Sequence, residues 1–174
     1  VMNEPTNIDF FRRTGFMYDV EGRDKSEIHG DGLFTKEDIT KGSVVFYWGL
    51  AEGDTHISEE TYLEKRKDMS DEVFQKTSAR WIHDIYLEGQ WGPDCYINHS
   101  DDPNILCYCG LGIARRDIKA EEEIHIDFRY ILSENDLAHF INIETDEKII
   151  GVSNYESVTR GAQQLIELLE GENK

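Results

Sequence analysis

The run Asn98-His99-Ser100-Asp101-Asp102-Pro103-Asn104 sets side by side two side chains that both donate and accept hydrogen bonds. Such a pair suits the reading of an adenine, and it equally suits the pinning of a buried Asx-type turn. Apolar Tyr96-Ile97 and Ile105-Leu106 flank the run, so a polar segment is expected close to the core. Gly30-Asp31-Gly32 has no Cβ at two of three positions, which lets a backbone approach a ligand closely. It lacks the third glycine and following helix of a dinucleotide site and the lysine of a P-loop; a plain turn is the other reading. Tyr47-Trp48-Gly49 and Asp127-Phe128-Arg129-Tyr130 put aromatics at strand ends, where they ordinarily build core.

Other chemistries find little support. No serine or cysteine has a local nucleophile context, and the six histidines show no HxxxH spacing. Cys95, Cys107 and Cys109 are odd in number and contain no CxxC pair, so reduced structural thiols are expected rather than disulfides or zinc. Eighteen Lys plus Arg against 36 Asp plus Glu give a net charge of −18, which disfavours direct binding to a nucleic-acid backbone. The negative field favours encounter with lysine-rich protein segments; solubility alone is the competing explanation of the acidity. No basic-then-apolar leader opens the sequence and no run approaches the ~20 apolar residues of a membrane helix, so an intracellular protein off the membrane is expected.

The elements that must hold these groups are mostly short strands. Strands are expected over residues 15–20, 44–47, 80–87, 105–108 and 123–128, with the polar stretch Glu21-Gly22-Arg23-Asp24-Lys25 ending the first. Two short helices are expected between Ser58 and Ala79. Cys107 and Cys109 read as alternate residues of one strand. A terminal helix over about 161–170 carries Leu165, Ile166, Leu168 and Leu169 and stops near Gly171. Lys36-Glu37-Asp38-Ile39 before Val44-Val45 is echoed by Arg115-Arg116-Asp117-Ile118 before Glu123-Ile124; paired structural units and coincidence are both open. The fold class is β-rich α+β.

Taken in order, these stretches resemble the SET-domain protein-lysine methyltransferases. That family runs a Gly-x-Gly loop, a Tyr-x-Gly strand end, a helical insert, an Asn-His-Ser-x-x-Pro-Asn loop and a final Glu-Glu-Leu-x-x-Asp-Tyr strand. Here the matching pieces are Gly30-Asp31-Gly32-Leu33-Phe34, Tyr47-Trp48-Gly49, residues 58–79, Asn98 to Asn104, and Glu122-Glu123-Ile124-His125-Ile126-Asp127-Phe128. The resemblance implies a SET domain over residues 15–130, built of small curled sheets with a pseudoknot, and a C-terminal extension over 131–174 packing on it. It implies S-adenosylmethionine as cofactor, cradled by Gly30, Asp31, Gly32 and Leu33 and held by Asn98 and His99. It implies Tyr47 on a channel that receives a substrate lysine, and transfer without a metal. The partner would be a lysine-containing, basic protein; the sequence leaves the oligomeric state open.

This chain departs from the family pattern at three places. Phe128 stands where the last motif ends in tyrosine, with Tyr130 two residues on and on the same face if the strand continues. Cys95 replaces an arginine often found before the Asn-His pair, and the cysteine-rich segment that follows many SET domains is absent, which would leave the tail from Ile131 onward to close the channel, with the terminal helix a candidate. Two other functions therefore stand beside lysine methylation: a catalytically weak or silent SET module that binds a basic partner, and methyl transfer to a different nitrogen.

Overall fold

The computed structural model describes residues 15–24, 26–48, 55–56, 64, 67–68, 81–82, 93–135 and 137–171. The helices expected between Ser58 and Ala79 lie outside the described residues except for Glu64, Lys67 and Asp68, as does Gly49. The strands are β1 (Gly15–Phe16), β2 (Val20–Asp24), β3 (Asp31–Thr35), β4 (Val44–Tyr47), β5 (Thr55–His56), β6 (Trp81–Ile82) and β7 (Asn98–His99). They continue with β8 (Ile105–Tyr108), β9 (Leu111–Ala114), β10 (Glu123–Ile126), β11 (Leu137–Asn142) and β12 (Glu147–Ile150), before helix α1 (Asn154–Glu170).

Two four-stranded sheets, ordered β1-β4-β9-β8 and β2-β3-β10-β7, carry the sequence motifs. Alternating β-branched and aromatic residues give each sheet one apolar face, and these faces meet in a shared core. Leu33, Val45, Phe46, Ile105, Ala114, Ile124 and Ile126 are buried there, with Phe16, Trp48, Tyr96 and Phe128 packed against them. Burial of side chains this size contributes roughly 1.5–3 kcal/mol each, enough to fix which face of β3 and β10 turns inward. Gly112 admits the ring of Phe46, whose atoms lie 2.4–2.6 Å from where a Cβ would be. The β5–β6 and β11–β12 pairs form two smaller antiparallel sheets.

Several expectations need correction. The polar stretch after Val20 is itself strand β2, because it forms the sheet edge and needs no apolar outer face. Arg23 pairs there with Glu21 and Glu121, and Tyr96 covers Gly22. β10 ends at Ile126 rather than Phe128, since the Asp127 carboxylate accepts the Arg129 N–H and starts a 3-10 turn over Phe128–Tyr130. Tyr130 therefore does not extend the strand. Cys109 is not in β8: with Gly110 it makes the two-residue β8–β9 turn, both at positive φ (49° and 81°). Helix α1 begins at Asn154, one turn and more before the expected start, because Ser153 caps it by accepting the Glu156 N–H. Its C-cap is Gly171, in right-handed geometry.

The C-terminal segment rests on the β8–β9 side. Leu168 is buried with Leu106 and Ile113, and Leu165 packs beside them. Gly161 lets the helix approach the Tyr108 ring, which lies 2.6 Å from an added Cβ.

Candidate functional site

β7 and β10 run parallel, pairing Asn98 with His125 and His99 with Ile126, and β10 pairs on its other side with β3. This register brings the glycine loop, the Asn-His pair and the end of the last strand to one place. The Asn98 amide lies 2.8 Å from Asp31 O and 2.8 Å from Glu123 Oε1, with His29 O and Ser26 Oγ each at 3.0 Å. Asn98 thus ties the loop before β3 to the first residue of β10. Gly30 adopts φ +50°, and a Cβ there would meet nothing within 4 Å, so its backbone faces open space. Asp31 and Gly32 already belong to β3, and Leu33 is fully buried core.

His99 is buried, and its Nδ1 accepts the Phe128 N–H at 3.2 Å. That leaves the ring proton on Nε2, which faces Asp101 Oδ1 at 3.5 Å. Burial pushes this imidazole's pKa down, against the pull of Asp127 and Asp101, so the neutral ring is the resident form at neutral pH. Asn98 and His99, expected to hold cofactor, direct these side-chain bonds at protein groups and act on the glycine loop and on Phe128.

Sequence reasoning passed over the network around them. Arg129 reaches Asp127 through Nε and Nη2 at 2.8 and 2.7 Å and Asp101 at 2.8 Å; the bond to buried Asp127 raises its pKa. Asn142 of β11 donates to Asp101 at 2.7 Å, so the hairpin outside the motifs is wired into the Asn-His loop. Asn104 is 1% exposed and clasps β10 from the other end of that loop: its amide donates to Glu123 O at 2.7 Å and accepts the His125 N–H at 3.0 Å. The DPN run in the sequence signalled a turn; only the fold reveals which strand it grips.

Tyr47 closes β4, paired with Gly15 and Leu111. Its ring lies over Gly15, where the hydroxyl is 2.6 Å from an added Cβ. The next residue, Trp48, shares a cleft of about 60 Å³ with Cys107, Tyr108, Tyr130, Ser157 and Val158. Tyr130 stands in this wall through the 3-10 turn, its ring under the Arg160 guanidinium at 5.3 Å, and burial raises its phenol pKa. Phe128 packs into the core edge-on to His99, centroids 6.4 Å apart. Cys95, Cys107 and Cys109 form no disulfide with one another, and burial pushes the Cys107 thiol up, away from a reactive thiolate.

A β-rich domain in which a glycine loop, an Asn-His pair and an acid-aromatic strand end are tied together in this order defines a class. A family model described as SET domain matches residues 30–129, more than half of the chain. The chain belongs to the SET-domain family. It is 32% identical over 118 residues to a Plasmodium falciparum (isolate 3D7) protein named "Putative histone-lysine N-methyltransferase 1", an overlap of 61% of this chain and 2% of that relative. Solved structures similar to it include an active polycomb repressive complex 2 in the stimulated state, 25% identical, covering 78% of this chain and 18% of that one, TM-score 0.46. The Chaetomium thermophilum polycomb repressive complex 2 is 26% identical, covering 64% and 15%, TM-score 0.44. The chain thus spans a small part of the relatives it matches, and its family membership rests on the matched residues 30–129 rather than on these likenesses.

Proposed function

We propose that this chain transfers a methyl group from S-adenosylmethionine to a lysine side chain of a basic protein. The observation that carries the reading is the junction at Asn98 and His99. One residue holds Asp31 and Glu123 at 2.8 Å, and the next holds the Phe128 N–H at 3.2 Å. The three motifs that make a SET site are thereby fixed to one another. The name of the Plasmodium relative supports lysine as acceptor and histones as a first substrate class to try, and the −18 charge supports a basic partner. An intracellular location belongs with this reading.

When bound, S-adenosylmethionine supplies a sulfonium methyl that an uncharged amine can displace. Open backbone at Gly30, just before β3, fits a ligand approached by main-chain groups. The chain's own tasks are to bind, to orient and to keep water out. A free lysine has a pKa of about 10.4, so removing its proton near pH 7.4 costs roughly 4 kcal/mol, which a dry aromatic channel lowers by disfavouring the ammonium. Tyr47, at the end of β4, is assigned to that channel wall, and Ser157 and Val158 of α1 sit across the neighbouring cleft from Trp48.

Phe128 supports a second reading. Without a phenolic hydroxyl the last motif lacks one preorganised polar group, and a weak or silent module that binds a basic peptide is the alternative. Calorimetric titration with S-adenosylmethionine, followed by transfer of labelled methyl to a histone and basic-protein panel, separates the two. Binding with transfer supports the enzyme. Binding without transfer to any acceptor supports the silent module, and no binding at millimolar cofactor ends the enzyme reading.

A further inference from the structure

Ser26 and Glu123 are 97 residues apart, yet the Ser26 hydroxyl lies 2.7 and 2.9 Å from the two carboxylate oxygens of Glu123. Among the described residues, the other hydrogen-bonding neighbours of that hydroxyl are donors: the Ile28 N–H at 2.9 Å, the His29 N–H at 3.1 Å and the Asn98 amide at 3.0 Å. A hydroxyl has one proton to give, so it goes to Glu123, and the oxygen's lone pairs are left facing the loop amides. The same carboxylate accepts from Asn98 at 2.8 Å. Ser26 N donates to Gly30 O at 2.8 Å and closes the loop on itself. Gly32 belongs to the arrangement as well, because a Cβ there would sit 2.6 Å from Glu123 Oε1.

We propose that Glu123 is a positioning residue for the cofactor loop: through Ser26 and Asn98 it holds residues 26–31 in the shape that presents the Gly30 backbone to S-adenosylmethionine. The inference rests on the methyltransferase reading for the identity of the ligand. Neither Glu123 nor Ser26 touches the reacting atoms. Charge makes the carboxylate suited to the task, since it accepts from two donors at once and charge-assisted bonds are about twice as strong as neutral ones.

The test uses the full chain and two readouts. Amide hydrogen exchange without ligand reports the loop itself: in Glu123→Ala the Ile28 and His29 amides are expected to exchange at least tenfold faster, while Ile113 of β9 keeps its protection. Calorimetry with S-adenosylmethionine is expected to show at least tenfold weaker binding in Glu123→Ala and a smaller loss in Glu123→Gln, which keeps one acceptor oxygen. Gly32→Ala is expected to weaken binding in the wild-type background and to add less to Glu123→Ala, because the tightest contacts it creates, at 2.6 and 2.8 Å, are with the removed carboxylate and only the one to Ser26 Cβ at 3.0 Å remains. Unchanged Ile28 and His29 exchange in Glu123→Ala overturns the proposal, as does loss of Ile113 protection to the same degree, which would mark a general structural role. A wild-type chain that binds no cofactor overturns the methyltransferase reading, a result separate from the exchange outcome.

Discussion

Ile39 and Ile118 each donate a backbone hydrogen bond to the other, at 2.8 and 2.9 Å, with both side chains no more than 1% exposed. Around this pair the two echoed sequence segments exchange equivalent bonds. Lys41 N donates to the Asp117 carboxylate and Ala120 N to the Asp38 carboxylate, both at 2.9 Å. Gly42 N donates to Ala114 O and Glu121 N to Thr35 O, at 2.8 and 2.7 Å. The echo is a local two-fold arrangement, and it delivers β4 to one sheet and β10 to the other.

The same symmetry predicts unequal tolerance at its two turns. Gly42 has φ +83°, and its counterpart Glu121 has φ +73°. Gly42→Ala places a side chain in left-handed backbone and is expected to lower stability by about 1 kcal/mol. Glu121→Gly relieves the equivalent strain but removes the exposed ion pair with Arg23, so its net effect is expected to be smaller than that of Gly42→Ala. Urea denaturation of the two variants reads both values; a neutral Gly42→Ala would contradict the strain argument.

What the sequence made legible follows from how local each signal is. Val44–Tyr47 and Ile105–Tyr108 were readable because β-branched and aromatic runs bounded by turn residues need no distant partner to be recognised. β2 was not, because Glu21 and Arg23 become strand residues through Glu121 and Lys36, which are remote in sequence. Gly30, Asn98 and His99 were legible as motif members, but their bonds were not: Glu123 and Asp101 stood in the motifs without a role, and Ser26 and Asn142 carry no pattern apart from the fold that gathers them.

His125 gives the fold a pH limit. Its Nδ1 accepts the Asn104 N–H at 3.2 Å, and burial, reinforced by Arg116, pushes its pKa down to about 4 from 6.5. A folded pKa below the unfolded one means the neutral ring's contribution is complete above pH 6.5 and is lost as pH falls from there toward 4. From pH 7.5 to pH 5 the loss is expected to be about 2 kcal/mol. Urea midpoints across that range should fall more in wild type than in His125→Asn, whose amide oxygen accepts near the Nδ1 position without titrating. Parallel slopes for the two proteins would remove His125 as the cause.

Cys109 at φ 49° precedes Gly110 at φ 81° in a two-residue hairpin turn whose preferred sequence is Asn-Gly. Cys109→Asn relieves left-handed strain that a cysteine bears less readily and is expected to raise stability by about 0.5–1 kcal/mol. Thermal denaturation under reducing conditions checks it, and a fall in Tm would show that the thiol makes a contact worth more than the strain.

On the proposed methyltransferase reading, Phe128 is expected to limit the rate of transfer. Its N–H is anchored to His99 and its ring packs against the core, so the residue is held in place but presents no hydroxyl. Restoring one by Phe128→Tyr is expected to raise the transfer rate by about 10²–10³, the scale on which one preorganised hydrogen-bonding group matters, with cofactor affinity little changed. Tyr130 cannot supply that hydroxyl from the strand, because the Asp127 cap turns the chain into a 3-10 helix and sends the ring beneath Arg160. Tyr130→Phe should accordingly leave the rate within about threefold of wild type, a change far below that scale. A Phe128→Tyr rate equal to wild type, together with inactive Tyr130→Phe, would transfer the role to Tyr130 and overturn this assignment. Single-turnover transfer from labelled S-adenosylmethionine distinguishes the cases, since it reports the chemical step apart from binding and product release.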